Sequence, residues 1–278
     1  MCGGEKMSLK SALKDRVKKA TRTSTFYLPL RDAYQFACNR PNRHYRKEMK
    51  AFFAQFVSKN DLVFDVGANI GDYSEIFVGL GARVVAVEPN AQLVPLLRRI
   101  TPRNRVAIEC IALGSREGTA KLYLCGKNYL ATLSRDWISV AERSQRFAGI
   151  KWSEQVAVPV STLDTLINKY GTPQFIKIDV EGFENEVLAG LSTLPGFLSF
   201  EFNSEFVEGA AFCLAQPCFS ADTKFNVILG GSAPFVFDQW VCRDEMLRFL
   251  ENRRFARPHM NGDIIACGSC VSRKISGK

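Results

Sequence analysis

The sequence predicts an α/β fold: a doubly wound, mostly parallel sheet with helices on both faces. Three observations lead there. Short continuous apolar runs recur along the chain, most are followed by apolar residues at helical spacing, and the junctions carry glycines and acids. Continuous apolar runs are strands buried on both sides, and their alternation with helices makes a parallel sheet with right-handed crossovers. In such sheets ligands gather outside the carboxyl ends of the strands.

Residues 62–66 are the first such run, ended by Gly67. After Gly71, the apolar residues Tyr73, Ile76, Phe77 and Leu80 lie on one face of a helix that stops at Gly79 and Gly81. Residues 83–87 form the second strand. Leu93, Leu96, Leu97 and Ile100 repeat the helical spacing until Pro102. Residues 106–111 read as the third strand. Residues 114–160 break the alternation, and we read them as a strand at 120–124 within an insertion that borders an acceptor site. The fourth main strand covers 175–180, with Phe183, Val187, Leu188 and Leu191 on the helix after it. Runs at 198–202, 225–229 and 263–266 complete the strands, and a helical stretch at 245–251 separates the last two.

The 278 residues are 46% apolar and 23% charged, the composition of a globular rather than a disordered chain. No apolar run is long enough for a transmembrane helix, and the first twenty residues lack the apolar block of a secretory signal. A cytoplasmic protein is expected. Residues 1–50 hold thirteen Lys/Arg against four Asp/Glu, while the other 228 residues hold 24 of each, so the net charge of +9 sits in one terminal segment. We read residues 1–44 as a basic, partly helical extension, either solvated or touching an anionic surface. A nucleic-acid enzyme would spread that charge around its cleft, so nucleic acid is a disfavoured partner. Nine scattered cysteines form no disulfide framework. Cys267 and Cys270 lack a second ligand pair for zinc, since His44 and His259 are the only histidines.

The strand ends carry the chemistry. The first strand runs into Asp65-Val66-Gly67-Ala68-Asn69-Ile70-Gly71. Gly and Asn tolerate the positive φ of a tight turn and let backbone approach a ligand. The loop lacks the second glycine of a dinucleotide fingerprint, so a pyrophosphate is disfavoured, and Asp65 suits a cation. Glu88, ending the second strand, is placed to accept bonds from both hydroxyls of a ribose. A nucleoside bearing positive charge in place of phosphate points to S-adenosylmethionine. Ala112 and Leu113 would form a small apolar lip near its adenine. Asp179 and Glu181 flank the end of the fourth strand, and Glu201 ends the fifth. Three neighbouring acids repel unless a cation, a proton or a donor lies between them. They read as an acceptor site with a general base, or, for Asp179 and Glu181, as caps of the next helix. Such a trio offers the oxygen ligands magnesium takes, although nothing in the sequence requires a metal. His44 is a weaker candidate base.

These residues resemble the FkbM family of S-adenosylmethionine-dependent methyltransferases. The resemblance is carried by residues 63–74, 87–90, 112–114, 161–164, 176–182, 238–240 and 262–266, and it covers about residues 45–268. It implies a class I methyltransferase (Rossmann-like) fold, seven strands with a reversed C-terminal strand, followed by a tail over 269–278. It also implies methylation, usually at oxygen, of sugars, natural products or peptides. By position, Asp65, Gly67, Asn69 and Gly71 would hold the methionine part of the cofactor and Glu88 its ribose. Asp179 and Glu181 match the family's acidic pair. Residues 125–155 diverge and would shape the acceptor pocket. The expected partner is a small-molecule or glycan acceptor. The alternatives are RNA or peptide held by the basic segment, or a non-catalytic nucleoside-fold module.

Overall fold

The computed structural model describes residues 43–125, 130–230, 234–254 and 261–268. The basic extension up to residue 42, the tail 269–278, His259 and Cys270 lie outside the described residues.

In chain order the strands are β1 (Leu62–Val66), β2 (Arg83–Val87), β3 (Val106–Glu109), β4 (Ala112–Leu113), β5 (Gly118–Leu124), β6 (Glu154–Ser161), β7 (Phe175–Ile178), β8 (Phe197–Asn203), β9 (Lys224–Leu229) and β10 (Asn261–Cys267). Seven of them build the main sheet in the order β3-β2-β1-β7-β8-β10-β9. Its pairs are parallel except those of β10, which runs antiparallel to both β8 and β9. This is the doubly wound sheet with a reversed strand expected of a class I methyltransferase. Strand order turns back between β1 and β7, the switch point where ligands lodge.

The helices are α1 (Arg43–Phe53), α2 (Asp72–Gly79), α3 (Val94–Ile100), α4 (Arg135–Arg143), α5 (Leu163–Tyr170), α6 (Glu184–Ala189), α7 (Val207–Leu214) and α8 (Arg243–Arg254). One sheet face presents Val63, Phe175 and Phe197 at the same level. Phe52 and Phe53 of α1, Phe56 just beyond it and Phe77 of α2 close over them. Rings meet mostly edge-on or tilted, at 4.9 Å for Phe53–Phe77 and 4.8 Å for Phe56–Phe197, geometries that add to the area buried. The opposite face, with Phe64, Ile176, Leu198 and Phe200, packs on α5, α6, α7 and α8.

Two elements depart from the sequence reading. Helix α1 was unexpected, yet Met49, Phe52, Phe53 and Phe56 have helical spacing and are buried. The insertion holds a second strand, β6, antiparallel to β5, and with β4 these form a separate three-stranded sheet. Pro159 and the exposed start of β6 hide it, because proline argues against a strand unless the strand lies at an edge.

Candidate active site

The loop after β1 has the left-handed turns expected of it, at Gly67 (φ +81°), Asn69 (φ +51°) and Gly71 (φ +87°). The reason for the glycines is internal, however. A Cβ on Gly67 would sit 1.8 Å from the Asp179 carbonyl oxygen, and one on Gly71 would sit 2.5 Å from Leu97 Cδ1. On those sides the chain itself takes the room the sequence reading left for a ligand. Gly67 thereby brings the loop into backbone contact with the acidic end of β7.

Asp65 is 2% exposed and accepts a 2.5 Å bond from Ser74 Oγ; burial raises its carboxyl to about 6. Glu88 accepts 2.8 Å bonds from the Asn69 N–H at Oε2 and the Asn90 N–H at Oε1, and burial raises it to about 7. It therefore ties the glycine loop to the end of β2 while keeping a second lone pair on each oxygen for hydroxyl donors. Beside it, Asn90 Nδ2 is buried without a hydrogen-bond partner. Ala112 and Leu113 do not form an open lip. They are buried in β4 opposite Val160 and Ser161, and Leu113 belongs to the main core.

At the end of β7 the sheet face that α1 covers turns polar. Lys177 is 1% exposed, with Nζ 3.1 Å from Asp179 Oδ2 and 3.2 Å from Asp263 Oδ1. The ammonium also lies 4.3 Å from the centre of the Tyr73 ring, whose hydroxyl meets that of Tyr45 at 3.0 Å. Burial alone would lower the lysine, but the charges of Asp179 and Asp263 hold it well above its ordinary value. Nothing in the sequence reading singled out Lys177 or Asp263 as site residues; a lysine within an apolar strand is the signal that was there.

Asp179, Glu181 and Glu201 come together as expected, with one carboxylate oxygen from each within 4.8 Å of the others. Burial, reinforced by the Asp179 charge, pushes Glu181 and Glu201 well above the usual carboxylate range. Asn261 Nδ2 donates to Glu201 Oε1 at 3.3 Å. No side chain caps α6, so neither Asp179 nor Glu181 serves as its cap; Glu184 Oε1 instead reaches back to the Val180 and Gly182 N–H groups of the preceding corner at 3.0 and 3.2 Å. Burial raises Glu184 to about 7. His44 stands apart, its side chain 81% exposed and 3.2 Å from Glu48 on the outer face of α1.

A cavity of about 570 Å³ opens beside the trio, within the size range of small-molecule sites. Its lining includes Tyr123, Arg135 and Trp137 of the insertion together with Glu184, Glu201, Asn203 and Phe206. Glu201 thus belongs to both trio and cavity. Arg135 is steadied by a 2.7 Å bond from its Nε to the Tyr123 hydroxyl.

Residues 65–213 match the family model described as a methyltransferase FkbM domain. Among curated proteins, none matches the sequence. Similar solved structures include a putative O-methyltransferase from Klebsiella pneumoniae, with TM-score 0.41 and 9% identity, covering 92% of this chain and 96% of that one. A precorrin-6y C5,15-methyltransferase from Geobacter metallireducens has TM-score 0.38 and 10% identity, with 80% and 89% covered. A putative rRNA-methylase from Clostridium thermocellum has TM-score 0.39 and 12% identity, with 80% and 95% covered. Among the described residues, no helix is long and apolar enough to cross a membrane.

Proposed function

Because the chain belongs to the FkbM methyltransferase domain family, we propose that it moves the methyl group of S-adenosylmethionine onto a hydroxyl oxygen of a sugar, glycan or natural-product acceptor. The observation that carries this reading is the junction of Asp179, Glu181 and Glu201 with both the glycine loop and the cavity.

The donor's chemistry fits the residues present. Raised, buried carboxyls at Asp65 and Glu88 are groups that a bound cation or hydroxyl donors would stabilise in their charged form. The orphaned Asn90 Nδ2 gives a nucleoside an unsatisfied donor beside Glu88. When bound, the sulfonium supplies a methyl group with a good leaving group already in place. Glu88 would hold the ribose hydroxyls. Asp65, Asn69 and the backbone of Gly67 and Gly71 would position the methionine part. Since Ala112 and Leu113 are core, any adenine contact from them comes from backbone.

On the acceptor side, methyl transfer to a hydroxyl releases one proton. Lys177 engages Asp179, which leaves Glu181 and Glu201 as the carboxyls free to take it. Burial and the neighbouring Asp179 charge raise both, which makes each a stronger proton acceptor once ionised. We assign the base to Glu181 and an acceptor hydroxyl to Glu201, which faces the cavity. Holding donor and acceptor in line contributes through orientation, on the order of several kcal/mol. Carboxylates, asparagine and aromatic rings in the cavity support a polyhydroxylated acceptor. The balanced charge of residues 51–278 gives RNA no basic track. Free cysteines at 110, 213, 218, 242 and 267 are consistent with a reducing compartment such as the cytoplasm.

The test is incubation with labelled donor and candidate extracts, reading acceptors that gain one methyl group by mass spectrometry, alongside calorimetry with S-adenosylmethionine and its demethylated product. Saturable donor binding and a methylated hydroxyl support the proposal; no binding of either nucleoside overturns it. Glu181→Gln should keep donor binding within about twofold and lose turnover by about 10²–10⁴-fold, the usual contribution of a positioned base.

A further inference from the structure

We propose that Thr132 is a positioning residue for the acid corner. Its hydroxyl, donated to the Glu181 carbonyl, holds Glu181 in a left-handed conformation and so sets where the Glu181 carboxyl stands beside Asp179 and Glu201. The functional side of this proposal rests on the acceptor-site reading above.

The corner is conformationally expensive. Glu181 has φ +55° and is followed by Gly182 at φ +85°. A left-handed residue with a side chain persists only where its surroundings over-determine it. Those surroundings come from two directions. From α6, Glu184 takes the Val180 and Gly182 N–H groups. From the insertion, Thr132 takes the carbonyl between them: its Oγ1 donates to the Glu181 oxygen at 2.7 Å.

Thr132 itself has no freedom to spare. It is fully buried, and its backbone exchanges hydrogen bonds with Tyr123 of β5 in both directions, at 2.8 and 3.1 Å. Its hydroxyl accepts from the Ser134 N–H at 2.9 Å while donating to Glu181, so the rotor has one satisfied orientation. Ser134 in turn caps α4 by accepting from the Trp137 N–H at 3.0 Å. That cap seats Trp137 against Gly182, where a Cβ would fall 2.5 Å from Trp137 Cβ. Two residues of the insertion therefore grip two consecutive residues of the corner. The element that forms the cavity wall also fixes the adjacent acid, so a change of acceptor wall would carry the acid's geometry with it.

Hydrogen exchange of the full chain, followed by mass spectrometry, tests the clamp without needing an acceptor. In Thr132→Val, nearly the same shape without the donor, exchange of residues 178–186 should rise about tenfold relative to residues 60–90. Thr132→Ser, which keeps the hydroxyl, should restore it to within about twofold. An equal rise in both segments, no rise, or a serine variant as fast as valine overturns the clamp. Should the valine variant not accumulate, Thr132→Cys, whose thiol is a weak donor, carries the same comparison with serine. With an acceptor in hand, Thr132→Val should lower kcat about tenfold while the donor Kd stays within twofold, and serine should rescue it. Unchanged kcat in a variant whose corner has loosened overturns the positioning role. A wild-type chain that transfers no methyl, yet shows the exchange pattern, removes the acceptor-site reading and leaves the clamp.

Discussion

Lys177 is the charge on which the acidic end of β7 depends. With Asp179 and Asp263 both on its ammonium, its removal leaves the buried Asp263 carboxylate without its cation and beside the part-exposed Asp179 carboxylate. Lys177→Met should therefore destabilise the fold by about 3–5 kcal/mol, the cost of stranding a buried partner, as read by urea unfolding. Gly67→Ala should be at least as damaging, because neither partner can retreat: the added carbon meets a backbone carbonyl, and φ +81° is strained for alanine. The sequence marked Asp65, Glu88, Asp179, Glu181 and Glu201 because strand ends are where such folds put chemistry. It did not mark Lys177 or Asp263, whose pairing depends on which strands are neighbours, nor Glu184, whose role lies in the local turn of the corner. Asp263 lies on β10, 86 residues from the lysine it pairs with.

Helices and strands were legible where their apolar pattern was clean, and obscured where charge or proline overlaid it. β1, β2 and α2 follow the periodicity directly. In α1, Arg43, Lys47 and Lys50 sit among the apolar residues, and a basic run reads as a tail although its other face is aromatic. Its contribution is measurable: Phe53 is 2% exposed and meets Phe52, Tyr73, Phe77 and Phe175. Phe53→Ala should cost about 3–5 kcal/mol, as large-to-small changes in packed cores do. In α4, Trp137 is fully buried but its Nε1 has no partner. Trp137→Phe keeps a ring against Phe147 and removes the orphan donor, so its cost in thermal or urea unfolding should stay below about 1.5 kcal/mol, well short of the penalty for Trp137→Ala. A loss as large as alanine's would mean that the indole makes a contact through its nitrogen.

Across the whole molecule, the folding of the sheet gathers carboxyls faster than it gathers cations, and under the proposed function that imbalance would tie stability to donor binding. Alternation gave the mostly parallel sheet in advance, and the reversed strand was expected only from the family resemblance; the crowding of acids at one edge, and the protons it retains, emerges only when the strands are side by side. Burial raises Asp65 to about 6 and Glu88 and Glu184 to about 7. A carboxyl raised on folding binds more protons in the native than in the unfolded state, so stability is fully present below the ordinary carboxylate range and is lost as pH rises toward about 7. For Glu88 the loss is on the order of 3 kcal/mol, and Glu88→Gln should flatten that part of the urea-unfolding profile between about pH 5 and pH 8. Donor binding pulls the other way. In the proposed binding mode, ribose hydroxyls on Glu88 and a cation near Asp65 would favour the ionised forms, so the complex should release protons where the free protein holds them. Calorimetry of S-adenosylmethionine binding at about pH 6, in two buffers of different ionisation heat, should give different apparent enthalpies, and the difference should shrink in Glu88→Gln. Equal enthalpies in both buffers for the wild type would mean that the donor does not meet these carboxyls.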